Sequence, residues 1–259
     1  MAGKKGAGQG LAAALLAALA TTALPAQVQP EAETDLEPPL VVAVLAHPDD
    51  ELPMSAALAA LARQGSFVRI VHATPGDAGS GFSGLPKGEA LGTMRRAEAE
   101  CAGKALGVAE VVNLGFGDGR LAAHVRDGTL AKALLDLVAA ADLVLTWGPD
   151  GGYGHADHRL VSAIATQIAQ SAPESDRPRV LYVGLPAGST ASLPPLADWA
   201  VTDPALLTTG IAYTREDLAA ASKAAQCHVT QFDPATRAGM AAAFDATIWK
   251  GKVHFRPAF

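Results

Sequence analysis

Val41–Ala46 reads Val-Val-Ala-Val-Leu-Ala without a polar break, and His47-Pro48-Asp49-Asp50-Glu51 follows at once. A strand with one wet face alternates apolar and polar residues. A short run without alternation predicts a strand buried on both faces, the pattern of a parallel sheet covered by helices. The pattern then repeats. A helix is predicted over 52–64, with Pro53 in its first turn and Gly65 just past its end. Further strands are predicted over 67–73, 110–114, 142–147 and 179–185, and helices over 89–106, about 127–140 and 158–170. Residues 74–88 read as a Gly-rich loop. Pro194, Pro195 and Pro204 mark an irregular stretch before two C-terminal helical segments, one of them over 216–227.

Strands alternating with helices at these lengths make βαβ units. The expected fold class is therefore α/β: a Rossmann-like parallel-sheet sandwich with helices on both faces, in a single domain over 40–259. The composition agrees. Of 259 residues, 49% are hydrophobic and 18% charged, enough apolar surface for a sizeable core and too little charge for a disordered chain. Asp and Glu outnumber Lys and Arg by 26 to 20, giving a net charge of -6. That balance argues against a nucleic-acid partner or an anionic membrane surface, each of which needs a basic patch.

The N-terminus reads as an address. Lys4 and Lys5 precede an apolar run over 11–20, which is followed by small residues up to Ala26. This is the order of a secretory signal peptide, expected over 1–26, and the run is shorter than the ~20 apolar residues of a membrane span. Residues 27–39, acidic and Pro-containing, read as a flexible linker. Export to a periplasmic or extracellular space follows as an expectation, with no stable membrane span after cleavage. Cys101 and Cys227 are the only cysteines. Export permits a bond between them, but two buried free thiols are the expected state, since free Cys packs as a small hydrophobe.

Two motifs carry chemistry, and both follow predicted strands. In an open parallel sheet, ligands bind beyond the carboxyl ends of the strands. In the first motif His47 and Asp50 stand three apart around a turn, so both can reach one point, with Asp49 beside it. Helix capping explains one aspartate here, but not a His and two Asp around a rigid proline. The second motif is Gly151-Gly152-Tyr153-Gly154-His155-Ala156-Asp157-His158, where His155 and His158 face the same way if a helix begins there. Three of the seven histidines fall in these two motifs, which points to a metal site. Two imidazoles and a carboxylate match hydrolytic zinc, and the same trio also suits non-haem iron. The extra acid and base groups favour hydrolysis.

The pair AHPDDE (46–51) and GHADH (154–158) resembles the zinc-dependent PIG-L/LmbE-like N-deacetylases. The likeness extends to Thr74-Pro75-Gly76-Asp77, to Arg95 and Glu98 ahead of Leu106-Gly107-Val108, and to the loop over 114–119, with a weaker echo over 223–231. Ala156 departs from the family's usual Pro. The resemblance implies metal ligands at His47, Asp50 and His158, holding Zn2+ or another divalent metal such as Fe2+. It implies Asp49 as general base, His155 as electrostatic stabiliser or general acid, and Asp157 as the partner that orients His155. It implies Tyr153 as a group polarising the amide carbonyl, and Arg95 and Asp118 as sugar-binding positions.

The function expected is hydrolysis of an N-acyl amide, N-acetyl in the first instance, on an amino sugar or sugar conjugate. Its partner is then a small-molecule or glycan substrate. Two alternatives share these motifs: a hydrolase of a non-sugar amide or ester, and a non-catalytic carbohydrate-binding protein. The binder has no use for Asp49. The run Gly79-Ser80-Gly81-Phe82-Ser83-Gly84 fits a dinucleotide fingerprint on paper, but no helix follows it directly, and it reads as a loop near the site mouth. His72, His124 and His254 read as packing or surface residues, Trp147 as core or rim, and His228 as a candidate for the pocket wall.

Overall fold

In a computed structural model that describes residues 37–259, the first strand, β1 (Leu40–Leu45), lies at the heart of a seven-stranded sheet. The expected signal peptide, and the linker up to residue 36, lie outside the described residues. The chain continues through α1 (Ser55–Arg63), β2 (Phe67–His72), α2 (Glu89–Leu106), β3 (Glu110–Asn113), α3 (Leu121–Arg126), α4 (Thr129–Ala139) and β4 (Leu143–Thr146). Then come α5 (Gly151–Gly154), α6 (Ala156–Ser171), β5 (Arg179–Val183), β6 (Thr209–Ala212), α7 (Arg215–Cys227), α8 (Pro234–Phe244) and β7 (Lys252–Pro257). Glu37–Phe259 forms one compact unit.

The strand order is β3-β2-β1-β4-β5-β7-β6. The first five strands are parallel, as expected. The last two are not: β7 runs antiparallel to β5, and β6 antiparallel to β7. The sheet is therefore mixed: two antiparallel strands extend the expected parallel core. β7 comes back beside β5 only after the chain has passed through β6, α7 and α8, and it returns in the opposite direction. The short helix α3 and both late strands are additions to the predicted elements.

β1 is buried on both faces. Val41, Ala43 and Leu45 point into a layer shared with Leu58 of α1, Leu106 of α2 and Ala224 of α7. Val42, Val44 and Ala46 point into the opposite layer with Leu134 of α4 and Val161 of α6. The period of two along a strand splits one apolar run between two cores. The chain leaves β1 toward α1 in one layer, and leaves β4 toward α6 in the other. Between the carboxyl ends of β1 and β4 this divergence opens a crevice, the place where α/β sheets bind ligands. Both sequence motifs start there.

The cysteines differ from expectation. Cys101 in α2 and Cys227 at the end of α7 form a disulfide, with their Cα atoms 5.8 Å apart. Neither is buried. Helices distant in sequence pack side by side, and the two residues stand on facing sides, which sequence spacing does not reveal. A second link joins α7 to α1: Arg63 donates to Asp217 at 2.8 and 3.0 Å. Asp217 also closes the capping box of α7 with Thr214.

Candidate active site

His47 follows β1, and its two ring nitrogens face different partners. Nε2 lies 3.0 Å from Asp118 Oδ1, while Nδ1 lies 3.2 Å from His158 Nε2 and 3.5 Å from Asp50 Oδ2. His158 Nε2 is in turn 3.0 Å from Asp50 Oδ1. His158 Nδ1 stands 3.1 Å from the Gly151 carbonyl, which takes its proton and leaves the Nε2 lone pair facing the others. Two imidazole nitrogens and a carboxylate thus meet with spacings of 3.0 to 3.5 Å. Donors held ~2.0–2.1 Å from a tetrahedral metal stand roughly 3.3 Å apart. The residues fit a metal, and Asp118 behind His47 gives the carboxylate–histidine support such ligands use.

The electrostatics agree. Burial opposes a charge on His47, yet Asp118, Asp157 and Asp50 outweigh it and raise its pKa well above the ordinary value. Burial would raise the Asp50 carboxyl, but His158 and His47 hold it well below the usual range. The cluster therefore calls for positive charge. Among the described residues, His155 also brings a ligand atom near His47 and His158, and Asp118 and Asp157 approach His47 together.

Asp49 stands beside this cluster with φ at 97°, a left-handed conformation rare for a residue other than glycine. Three contacts hold it. Its N–H donates to Glu51 Oε2 at 3.0 Å, its carbonyl accepts from the N–H of Leu52 at 3.0 Å, and Arg95 reaches its Oδ2 at 3.1 Å. Burial raises the Asp49 pKa, with the Arg95 charge opposing it, so the carboxylate is a stronger base than a free one. Arg95 is itself buried and also donates to the carbonyls of Gly76 and Pro48. Any side chain at residue 76 would collide with its guanidinium, which is why the loop turns on glycine there.

Several sequence-based roles change accordingly. Arg95 was expected to bind sugar; its Nη1 and Nη2 instead meet two carbonyls and Asp49, and its buried Nε has no hydrogen-bond partner. Asp118, the other expected sugar position, backs His47 and accepts the N–H of Ala78 at 3.1 Å. Asp157 makes no hydrogen bond from its carboxylate to His155. That carboxylate accepts the N–H of Gly119 at 2.7 Å and lies 3.6 Å from His47 Nε2. His155 instead caps α6, its Nδ1 accepting the N–H of Asp157, which leaves Nε2 as the donor of its neutral ring. Burial and the neighbouring imidazoles lower its pKa.

Glu51, His72 and His228 form a network that the sequence reading did not assign. Glu51 lies between His228 Nε2, at 2.6 Å, and His72 Nε2, at 3.4 Å, and all three are fully buried. Burial would raise the Glu51 carboxyl; the two histidines outweigh it and hold it far below the usual range. Its charge fixes the backbone of Asp49. His72 is thus an interior partner, and His228 lies behind the pocket wall, reached only because α7 folds back across α1. The final Glu of the first motif was the available signal.

A cavity of about 350 Å³ opens beside Asp49 and Asp50. Trp147 forms its floor, stacked on His158 at 5.3 Å, and Tyr153 and Trp199 pack against each other at 5.2 Å along its side. Gly152, at φ 73°, brings the backbone so close to the Trp147 ring that a Cβ would lie 3.0 Å from it. Burial and nearby carboxylates push the Tyr153 phenol up, so it remains a proton donor.

The fold and this cluster define an α/β protein with a candidate metal site at the switch point of its sheet. Residues 42–169 match the family described as "PIG-L: GlcNAc-PI de-N-acetylase", and the chain belongs to that family. A 1D-myo-inositol 2-acetamido-2-deoxy-alpha-D-glucopyranoside deacetylase from Corynebacterium kroppenstedtii is 34% identical over 200 residues, covering 64% of this chain and 51% of that protein. The enzyme of that name from Rhodococcus erythropolis is 33% identical over 198 residues, covering 67% of this chain and 64% of its own. The chain thus spans about half to two thirds of the length of these curated relatives.

Solved structures share the fold. N,N'-diacetylchitobiose deacetylase from Pyrococcus horikoshii superposes with a TM-score of 0.58 at 19% identity, covering 84% of this chain and 83% of that one. The zinc-inhibited form of teicoplanin deacetylase gives 0.59 at 16%, covering 84% and 97%. A 4-carboxy-2-hydroxymuconate hydratase from Pseudomonas putida gives 0.54 at 20%, covering 86% and 97%. The fold alone therefore does not choose the reaction.

Proposed function

We propose that this protein is an exported, zinc-dependent amidohydrolase that removes an N-acyl group from an amino sugar or sugar conjugate. One observation carries the reading: His47 Nδ1, His158 Nε2 and the Asp50 carboxylate meet within 3.5 Å, with the Asp49 carboxylate beside them at a cavity mouth. His47, Asp50 and His158 would hold the metal, which when bound lowers the pKa of a water to about 7 and polarises the amide carbonyl. Asp49 accepts the proton of the attacking water. Arg95 occupies its Oδ2, which leaves Oδ1 for that transfer. His155, through Nε2–H, and the Tyr153 hydroxyl supply hydrogen bonds to the oxyanion as the carbonyl carbon becomes tetrahedral. The C–N bond then breaks, and the amine leaves with the proton carried by Asp49.

The amino-sugar class is supported by the names of the curated relatives. Export is supported by the Cys101–Cys227 bond, since such bonds persist in oxidising compartments. Among the described residues no helix is long and apolar enough to cross a membrane.

The test is primary-amine release from N-acetylglucosamine, its glycosides and N-acyl amino acids, with and without chelator. Chelator-sensitive release from the sugars is expected, restored by zinc. Release from the amino acids alone would overturn the sugar assignment. A zinc-loaded protein that binds the sugars and hydrolyses nothing would make it a binding protein.

A further inference from the structure

We infer that the acyl group removed here is a medium-length apolar chain, and that this chain lies in the cavity walled by Leu196, Trp199, Phe232, Met240 and Phe244. The inference rests on the deacylase reading above and names its substrate class. An acetyl methyl is about the size of a water molecule, roughly 30 Å³. The cavity beside Asp49 and Asp50 measures about 350 Å³. Beyond the two aspartates its wall is mainly hydrocarbon and aromatic.

Its polar exceptions are the Tyr153 hydroxyl, beside the aspartates, and Gln231. Gln231 already spends its amide N–H groups on Gly79 O at 2.9 Å and Thr230 Oγ1 at 3.1 Å. His155, Asp118 and Asp157 gather around His47 and do not line this cavity. Sugar hydroxyls buried against Leu196, Phe232, Met240 and Phe244 would lose hydrogen bonds to water without replacement, whereas methylene groups gain by leaving water. The wall also continues. Leu196, Phe232, Met240 and Phe244 equally line a second, more open groove of about 430 Å³ between the turn Pro194–Leu196 and α8. The two spaces abut along these four residues, and a longer chain starting at the scissile carbonyl would cross that shared edge to reach the surface.

Gly239 of α8 lines the outer groove, and a Cβ built there meets nothing within 4 Å. Gly239→Phe therefore projects a ring into the groove from an unobstructed Cβ, and a helix tolerates the change. The experiment uses the zinc-loaded protein and glucosamine carrying acetyl, butanoyl, hexanoyl or octanoyl on nitrogen, with the octyl glycoside of N-acetylglucosamine in parallel. Amine release gives kcat/KM, and calorimetry on Asp49→Asn gives affinity for the same compounds. We expect about a three- to fourfold gain per added methylene, and an octanoyl-to-acetyl ratio at least tenfold lower in Gly239→Phe. A flat acyl series overturns the inference, as does a gain confined to the octyl glycoside, which would place the apolar group on the sugar's other end. Should no compound release amine, the hydrolase reading fails separately. Chain-dependent affinity in Asp49→Asn would still support the groove, and chain-independent affinity would overturn it.

Discussion

The polar and apolar sides of the site are assembled by different means. His47, Asp49 and Asp50 come from six consecutive residues after β1, and His155, Asp157 and His158 from one turn after β4. Two short segments at adjacent strand ends thus supply the candidate metal ligands and the base, and Asp118 and Arg95 join them from elsewhere in the chain. The facing wall draws Leu196 and Trp199 from an irregular connection, Phe232 from the turn after α7, and Met240 and Phe244 from α8. Ligand and base geometry tolerates little displacement, so it is built on rigid strand ends. An apolar wall needs only area and volume, which residues from scattered elements can supply.

The comparison breaks most visibly at Asp49. Asp49→Ala should lower turnover about 10³-fold, the scale of a lost general base, with metal content unchanged by elemental analysis. His158→Ala should lose the metal instead. Retained turnover in Asp49→Ala would remove the base from the polar side altogether.

Next comes the buried support of that side. Glu51→Gln leaves His72 and His228 without their charged partner and should cost about 3 kcal/mol in denaturant unfolding. Because Glu51 also holds the Asp49 backbone, kcat should fall with KM little changed. A loss of stability with normal kcat would reduce Glu51 to a packing role.

On the apolar side, α7 is tied to α2 by the disulfide, just before the turn that carries His228, Gln231 and Phe232. Replacing Cys101 and Cys227 together by Ser should cost about 2–4 kcal/mol, measured by thermal unfolding, because the bond closes a long loop. Apolar-chain discrimination should weaken more than the reaction of acetyl substrates.

The smallest effect sharpens the same contrast. Asp217→Asn weakens the capping box of α7 and takes the charge from the Arg63 pair, and should cost about 1–2 kcal/mol at neutral pH. Burial would raise the Asp217 carboxyl, but Arg63 and Thr214 lower it below its ordinary value. A folded pKa below the unfolded one stabilises above the ordinary carboxylate value, and that stability is lost as pH falls through the folded pKa. The gap between wild type and Asp217→Asn should therefore be full above about pH 5 and close below about pH 4. A gap independent of pH would mean that the lost contacts are not ionic.

The parallel part of the fold was legible because each piece of its signal is local. An unbroken apolar run, a Pro inside a helix start and a Gly past its end each act within one turn of chain. The late strands were not. Lys252–Pro257 alternates Lys, Val, His, Phe, Arg and Pro, and β6 is only Thr209–Ala212. Such strands owe their existence to β5 and to each other, partners that their own residues do not announce.

The same division runs through the site. By itself the sequence determined that two His- and Asp-bearing turns end two strands of one sheet, because motif and apolar run are contiguous in the chain. Tertiary structure alone decided that Arg95 grips Asp49, that Asp118 backs His47, and that His228 meets Glu51 across 177 positions of sequence. It also paired the two cysteines and closed the apolar wall. Contacts of that kind depend on which faces of distant helices come together, and residue types carry no record of that until the core has packed.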